Sequence, residues 1–180
     1  MKMSDFGFDF KTYSDLIGKR ESSDNYKAVN KGGYLGRYQL GAPALIEAGY
    51  VKPGTTQAGL KNPKNWVIGN RNEFLYNPEF QDDAFYKYTQ KNYQYAQNKG
   101  LVKEEDKPEH VAGVLAGSHL VGVNDYKRSL KNPNIADANK VRPSEYYDYV
   151  QAGINKATMP VISQNELKGT VDYLRKLFWD

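Results

Sequence analysis

A segment rich in small residues after Pro108 places the strongest constraint on the fold of this chain. Its small side chains form two adjacent pairs one helical turn apart, at Ala112, Gly113, Ala116 and Gly117. Proline is favoured at the start of a helix, so Pro108 predicts a helix that includes residues 110–121. Because the distance between packed helices depends on the side chains at their contact, small residues allow neighbouring backbones to approach closely. The segment therefore predicts a central, tightly packed helix.

The sequence before this segment is also mainly helical in pattern. Asp9 is a favourable cap for a first helix whose apolar residues are three to four positions apart. Pro43 opens a short helix that Gly49 ends, and Asn77-Pro78 opens a long helix that should run to about Asn98. Between these helices, residues 22–38 are polar and contain glycines, which predicts an irregular loop or a small β-hairpin. Residues 51–72 predict a loop that packs through Trp66-Val67-Ile68.

Three further helices are predicted towards the end of the chain. They cover residues 124–130, a segment that Ser144 caps, and residues 164–179, where Ser163 and Glu166 form a capping box. The whole pattern predicts one mainly α domain (α+β) over residues 1–180, a helical bundle around the small-residue helix. At 180 residues the chain is long enough to bury roughly 70% of its unfolded surface. No stretch approaches the roughly 20 apolar residues of a membrane helix, so we expect no membrane insertion.

Composition excludes several kinds of chemistry. The chain has no cysteine, which rules out disulfides, a thiolate metal site and a cysteine nucleophile. It has two histidines, no loop with EF-hand spacing and no phosphate-binding glycine motif, so we expect neither a metal nor a cofactor. The net charge of +4 comes from scattered basic residues, and no nucleic-acid partner is expected. The 15 tyrosines suit either of two roles: binding of sugars, or packing of the rings in the core with the hydroxyl groups exposed to water.

Glu21 is the candidate functional residue. It ends the first predicted helix and is followed, after the glycine-containing loop, by Gly36-Arg37-Tyr38-Gln39. A carboxyl group that protonates a glycosidic oxygen must keep its proton near neutral pH, and partial burial raises the pKa of a Glu from about 4.3 toward roughly 6. A helix C-terminus also disfavours a negative charge. The ordinary alternative is a surface Glu beside Lys19 and Arg20.

Four blocks in order resemble the lysozyme-like lytic transglycosylases and goose-type lysozymes. Glu21-Ser22 and Gly36-Arg37-Tyr38-Gln39 are similar to the family's Glu-Ser and Gly-Leu-Met-Gln elements. Residues 115–122 resemble the Ala-Ala-Tyr-Asn-Ala-Gly segment, and Glu145 with Tyr149-Val150 resembles the Glu-Thr-x-x-Tyr-Val helix. The blocks cover roughly residues 9–154. The resemblance implies a lysozyme-like fold with a substrate cleft beside the hairpin or loop.

The resemblance also implies roles for individual residues. Glu21 would be the catalytic acid and later the base, and Tyr149 would direct its hydroxyl at the Glu21 carboxyl. The residues implied to bind substrate are Ser22, Tyr38, Gln39, His119 and Tyr149. Three of them also have a structural alternative. Gln39 could form hydrogen bonds within a hairpin, Tyr149 could be a tyrosine at the edge of the core, and His119 could make a structural hydrogen bond. Where the family has the Asn that holds an N-acetyl group, this chain has Leu120.

Hydrolysis normally needs a second carboxylate, whereas a lytic transglycosylase uses the sugar's own C6 hydroxyl. Asp24 is the nearest candidate, and Asp82, Asp83 and Asp125 are others that capping or solvation explains better. The implied function is cleavage of the beta-1,4 bond between N-acetylmuramic acid and N-acetylglucosamine in peptidoglycan, with both chemistries open and a chitin-type substrate as a variant. Two alternatives from other classes are a catalytically silent wall-binding module on the same fold and a binder of anionic polymers.

The expected setting follows from the N-terminus. Charges at Lys2, Asp5 and Asp9 occupy the place of an apolar signal segment, so no secretory signal is expected. The protein would be made in the cytoplasm as a monomer and would reach the wall, in the periplasm or outside the cell, by lysis, injection or secretion. A phage endolysin, a tail-associated wall enzyme and an effector delivered into rival bacteria all fit. A domain of a longer protein with its own delivery machinery fits as well.

Overall fold

The computed structural model describes residues 6–158, and these are mostly helical. Seven α-helices lie within this range: α1 (Phe10–Ser22), α2 (Ala42–Glu47), α3 (Arg71–Tyr76), α4 (Pro78–Asn98), α5 (Pro108–Val121), α6 (Val123–Ser129) and α7 (Pro143–Thr158). Short 3₁₀ helices cover Ala58–Lys61 and Pro63–Asn65. The mainly α class is therefore confirmed. The helix predicted over 164–179 lies outside the described residues.

Helix α5 is the centre of the structure, as its small residues predicted. Every residue from 111 to 118 is buried, and α5 packs most extensively against α7, with α6 and α4 on other sides. A Cβ added at Gly113 would lie 2.6 Å from the ring of Tyr147, and one at Gly117 would lie 2.4 Å from the ring of Tyr126. Larger side chains at these two positions would push α6 and α7 away from α5.

The predicted caps of α1 and α4 are confirmed, whereas Ser144, which was predicted to cap a helix, lies inside α7, because this helix already begins at Pro143. The Asp9 carboxylate accepts a hydrogen bond from the backbone N–H of Thr12, which satisfies a free donor in the first turn of α1. Asn77 caps α4 in the same way, and α4 runs to Asn98 as predicted. Helix α3 was not predicted. Its cap, Asn70, accepts from two backbone N–H groups of a segment that composition alone assigned to a loop.

The region between α1 and α2 contains isolated β pairs. Leu35 pairs with both Val29 and Leu40, and no longer strand occurs among residues 6–158. Of the two predicted forms, an irregular loop or a small β-hairpin, the structure has a tight loop whose ends, Leu35 and Leu40, exchange hydrogen bonds of 3.0 and 2.9 Å. Further along, Trp66 packs into the core as predicted, but its neighbour Val67 is 60% exposed.

The buried apolar side chains of residues 6–158 form one continuous core. Within the described part of the chain, no helix has the length and apolar content needed to cross a bilayer.

Candidate active site

Three helices meet at the carboxyl group of Glu21. Glu21 lies in the last turn of α1, next to Ser22 and the left-handed C-cap Ser23, and its side chain is only 14% exposed. Its Oε1 atom accepts a 2.8 Å hydrogen bond from the hydroxyl of Tyr146 on α7. The same oxygen lies 3.3 Å from Nε2 of His119 on α5. The carboxyl group is therefore shielded and held in one orientation.

Tyr146 is itself fixed in place. Its ring is buried, and the Arg20 guanidinium lies 4.4 Å from the ring centroid. Burial, together with the negative charge of Glu21, raises the pKa of the Tyr146 hydroxyl. The hydroxyl consequently stays protonated across the neutral range and donates to the carboxylate. This makes Tyr146 an orienting group for Glu21.

His119 connects Glu21 to the loop before α2. Its Nε2 atom lies 3.1 Å from the carbonyl oxygen of Tyr38, which can only accept, so this nitrogen carries a hydrogen. The ring packs edge-on against Phe85 and Tyr88 of α4. Its Nδ1 atom is buried and has no hydrogen-bond partner among the described residues. The imidazole thus presents one N–H to both the carbonyl and the Glu21 carboxylate.

The Gly36–Gln39 segment forms the tight loop closed by Leu35 and Leu40. Gln39 has a left-handed backbone, with φ 48°, and both its backbone N–H and its side-chain amide donate to the carbonyl of Gly36, at 3.2 and 2.8 Å. The Ser22 hydroxyl donates to the carbonyl of Arg37 at 2.8 Å. Since Ser22 directly follows Glu21, this bond fixes the catalytic candidate relative to the loop.

Arg37 connects the same loop to α1 and to the residues just after it. Its guanidinium bonds to the carboxylates of Asp15 and Asp24 and to the hydroxyl of Tyr38, at 2.8–2.9 Å. Burial opposes the charge of Arg37, but the hydrogen bonds with Asp15 and Asp24 outweigh it and raise the pKa of the guanidinium. The Tyr38 hydroxyl in turn donates to Asp82 at 2.7 Å. This ionic cluster ties α1, the loop and α4 together.

A cleft opens beside Glu21. It has a volume of about 140 Å³ and is lined by Glu21, Asn30, Tyr34, Gln39, His119, Leu120, Asp137, Ala138 and Asn139. A second pocket of about 260 Å³ shares Tyr34, Gln39, His119 and Leu120 with the cleft. A third pocket of about 720 Å³ adjoins the second at Pro43, Tyr88, Val121 and Gly122. Together they form a groove that runs from Glu21 along α2 and α5 to α4 and α6.

The structure brings together only some of the residues that the sequence analysis assigned to the site. Glu21, Gln39 and His119 line the cleft, and so does Leu120. Tyr38 lies in the core instead, because its ring stacks on Phe85 with centroids 4.0 Å apart.

Three other assigned residues make contacts outside the cleft. The Ser22 hydroxyl bonds to the Arg37 carbonyl, and the Asp24 carboxylate pairs with the Arg37 guanidinium. The tyrosine that bonds Glu21 is Tyr146 rather than Tyr149, whose ring lies 5.0 Å from the Arg20 guanidinium.

Five residues of the site were not predicted from the sequence: Tyr146 and the cleft residues Asn30, Tyr34, Asp137 and Asn139. Tyr146 had a signal, because it lies one turn from Tyr149 on the same predicted helix. Asn30 and Tyr34 flank the glycine pair of the loop, so the Gly-rich stretch could have indicated them. Asp137 and Asn139 lie between α6 and α7, and no local pattern connects them with Glu21.

A separate apolar cavity of about 390 Å³ lies between α5, α6 and α7, on residues that include His110, Tyr126 and Tyr147. None of its lining residues lines the Glu21 cleft.

Comparison of the chain with protein-family models, curated proteins and solved structures gave no match, so the functional interpretation depends on the residues of this chain alone.

Proposed function

We propose that this chain is a peptidoglycan glycosidase with a lysozyme-like fold. It cleaves the beta-1,4 bond between N-acetylmuramic acid and N-acetylglucosamine, as a lysozyme or a lytic transglycosylase, and Glu21 serves as general acid and base. One observation carries this proposal: the Glu21 carboxyl group, 14% exposed, lines a cleft and is oriented by the Tyr146 hydroxyl.

The surroundings of Glu21 suit proton transfer. A general acid has to lie at the wall of a cleft, within hydrogen-bond reach of the bridging oxygen, in a fixed orientation. The bond from Tyr146 takes up Oε1, whereas Oε2 accepts no hydrogen bond from any residue in the described range. Oε2 is therefore free to donate the proton to the leaving sugar. The resulting carboxylate then accepts a proton from the attacking hydroxyl, either of water or of the sugar's C6 group.

The groove supports a polymeric substrate. It continues from the cleft through two further pockets, so a glycan strand has room on at least one side of the scissile bond. Tyr34 and Tyr95 line it and are 44% and 41% exposed. Exposed aromatic faces pack against the C–H faces of sugar rings, and the amides of Asn30, Gln39 and Asn139 offer donors and acceptors to hydroxyl and N-acetyl groups.

Replacement of Glu21 by Gln tests the proposal. The amide cannot donate a carboxylic proton, so clearing of purified sacculi should fall by about 10³-fold. Glu145→Gln is the matched control, since that carboxylate is 52% exposed on α7 and does not line the cleft. Thermal unfolding of both variants should stay close to that of the original protein. Lysis by Glu21→Gln at a rate comparable with the control would refute the enzymatic proposal.

One observation favours a second function. Leu120 lines the cleft where the resembled family has an amide that holds the N-acetyl group, and an aliphatic side chain offers no hydrogen bond there. On this alternative the chain is a catalytically silent module that binds wall glycan. Sedimentation with sacculi, without release of soluble muropeptides, would favour it over the enzyme.

The setting remains that of a wall-degrading protein that acts in the periplasm or outside the cell after lysis, injection or secretion. Phage endolysins, tail-associated wall enzymes and antibacterial effectors fit this description.

A further inference from the structure

The carboxylates that the sequence offered as partners for Glu21 are all engaged elsewhere. Asp24 pairs with Arg37 at 2.8 Å. Asp82 accepts from the hydroxyls of Tyr38 and Tyr26, and Asp83 accepts from Tyr50 and pairs with Lys87. Asp125 pairs with Arg128 at 2.8 Å. None of these four carboxylates lines the cleft beside Glu21.

Asp137 does line that cleft. Besides Glu21 it is the only carboxylate among the described residues that line the cleft, and it belongs to the connection between α6 and α7. In the described range no Lys, Arg or His lies within ion-pair distance of it, in contrast to the other four. A half-buried carboxylate without a cation, in the same cleft as the candidate acid, has the chemical character of a general base.

The Asp137 side chain is also held rigidly. Its Oδ1 atom accepts from the backbone N–H groups of Asn139 and Val141, at 2.9 and 2.8 Å. The backbone of Asp137 donates to the carbonyl of Val141 at 2.9 Å, which closes the loop on itself. Among residues 6–158, its Oδ2 atom accepts only from the side-chain amide of Asn139, at 3.3 Å. One oxygen thus anchors the group and the other retains free acceptor capacity.

We propose that Asp137 is the second carboxylate of this site and activates the attacking water in place of Glu21, which then acts as the acid alone. With this base the reaction is a hydrolysis. This inference rests on the proposed glycosidase function. A water molecule in the cleft gives its proton to Asp137 Oδ2 as its oxygen bonds to C1 of the muramic acid. The bond from C1 to the bridging oxygen breaks, and Glu21 gives its proton to that oxygen. The products are a new reducing end and a free hydroxyl on the leaving sugar, so one water is consumed.

The cleft has room for this water. Its volume of about 140 Å³ is several times the roughly 10–15 Å³ of cavity that one water molecule needs. The C6 hydroxyl of the sugar is then not needed as a nucleophile, because a rigidly held base in the same cleft serves the external water.

Asp137→Asn is a sharp test, because Asn keeps an oxygen that accepts from the two backbone N–H groups but lacks the basic carboxylate. Sacculi are digested in water labelled with heavy oxygen, and the muropeptides are analysed by mass spectrometry. The original protein should give reducing ends that carry the label. Asp137→Asn should give them about 100-fold more slowly. Asp148→Asn, an exposed carboxylate on α7 outside the cleft, is the matched control and should match the original rate.

A second variant distinguishes a base from a structural anchor. Asp137→Ala leaves space for a small anion, so sodium azide should restore bond cleavage, with azide bonded to C1 and the proton of Glu21 on the leaving oxygen. Anhydro-ended products from the original protein would overturn the role of Asp137 and leave the glycosidase intact. Asp137→Asn with labelled products within about twofold of the control would overturn it as well. No product from the original protein would instead overturn the glycosidase itself.

Discussion

Replacement of Gly36 by Ala should remove about 4 kcal/mol of unfolding free energy, although it adds a single methyl group. Gly36 has φ +74°, and a Cβ there would lie 1.9 Å from Oε1 of Gln81. Gln81 is 1% exposed and cannot move towards solvent without leaving the core. Its amide accepts from the N–H of Arg37 at 2.8 Å and donates to the carbonyls of Tyr26 and Phe74 at 2.9 and 2.8 Å.

The magnitude follows from these contacts. A left-handed backbone costs a residue with a Cβ about 1–2 kcal/mol relative to Gly. Displacement of Gln81 loses its hydrogen bonds to the backbone, each with a net value of about 1 kcal/mol, and groups left buried without a partner cost more. The sum, about 4 kcal/mol, is a large part of the roughly 5–15 kcal/mol that stabilises an ordinary domain.

Gly54→Ala is the matched control for this change. Gly54 has φ +80°, but a Cβ there would meet no atom within 4 Å, so only the backbone cost of about 1–2 kcal/mol applies. Urea unfolding, followed by circular dichroism and by tryptophan fluorescence, gives both free energies. Losses that agree within about 1 kcal/mol would show that Gln81 yields easily, and the account of Gly36 would then be wrong.

Two further predictions concern the orienting tyrosine and the first helix cap. Tyr146→Phe removes the 2.8 Å hydrogen bond to Glu21 and should lower the rate of sacculus clearing about tenfold. Tyr149→Phe is the control and should leave that rate unchanged. Equal clearing rates for the two variants would contradict the orienting role. Asp9→Ala should cost about 1 kcal/mol at neutral pH. Hydrogen bonds from Thr12 lower the pKa of Asp9, so the stability that the cap contributes is present above the unfolded pKa and is lost as pH falls through the folded pKa. The unfolding free energies of the two proteins, measured by urea titration, should therefore converge in acid. A difference between them that stays constant with pH would contradict the cap.

The helices were predictable where the signals are local. Asp9, Asn77 and Pro108 each act through the backbone groups of the next few residues, and α1, α4 and α5 begin where these residues predict. Helix α3 was missed because its one cap, Asn70, stands in a segment rich in Gly, Pro and Asn that otherwise resembles a loop.

Tyr149 was predicted to contact Glu21, but Tyr146 makes the hydrogen bond. This difference shows how far a helical pattern can specify a site. Residues three apart lie on nearly the same side of a helix, so the pattern indicates the side that faces α1 but not which ring reaches Glu21. Tyr146 lies deeper, at 5% exposed, and its hydroxyl reaches the carboxylate. Asp137 is a harder case, since its place in the cleft depends on how the connection between α6 and α7 closes over α5.

The position of Glu21 depends on contacts between residues that are far apart in the sequence. The bond from Ser22 to Arg37 ties the end of α1 to the tight loop, and Gln81 ties that loop to α4. The close approach of α7 to α5 at Gly113 sets the distance at which Tyr146 can reach α1. The neighbours Lys19 and Arg20 carry none of this information, which is why the surface and catalytic interpretations of Glu21 could not be separated locally. The same tertiary contacts that bury this carboxyl group also give it the fixed orientation that a general acid requires.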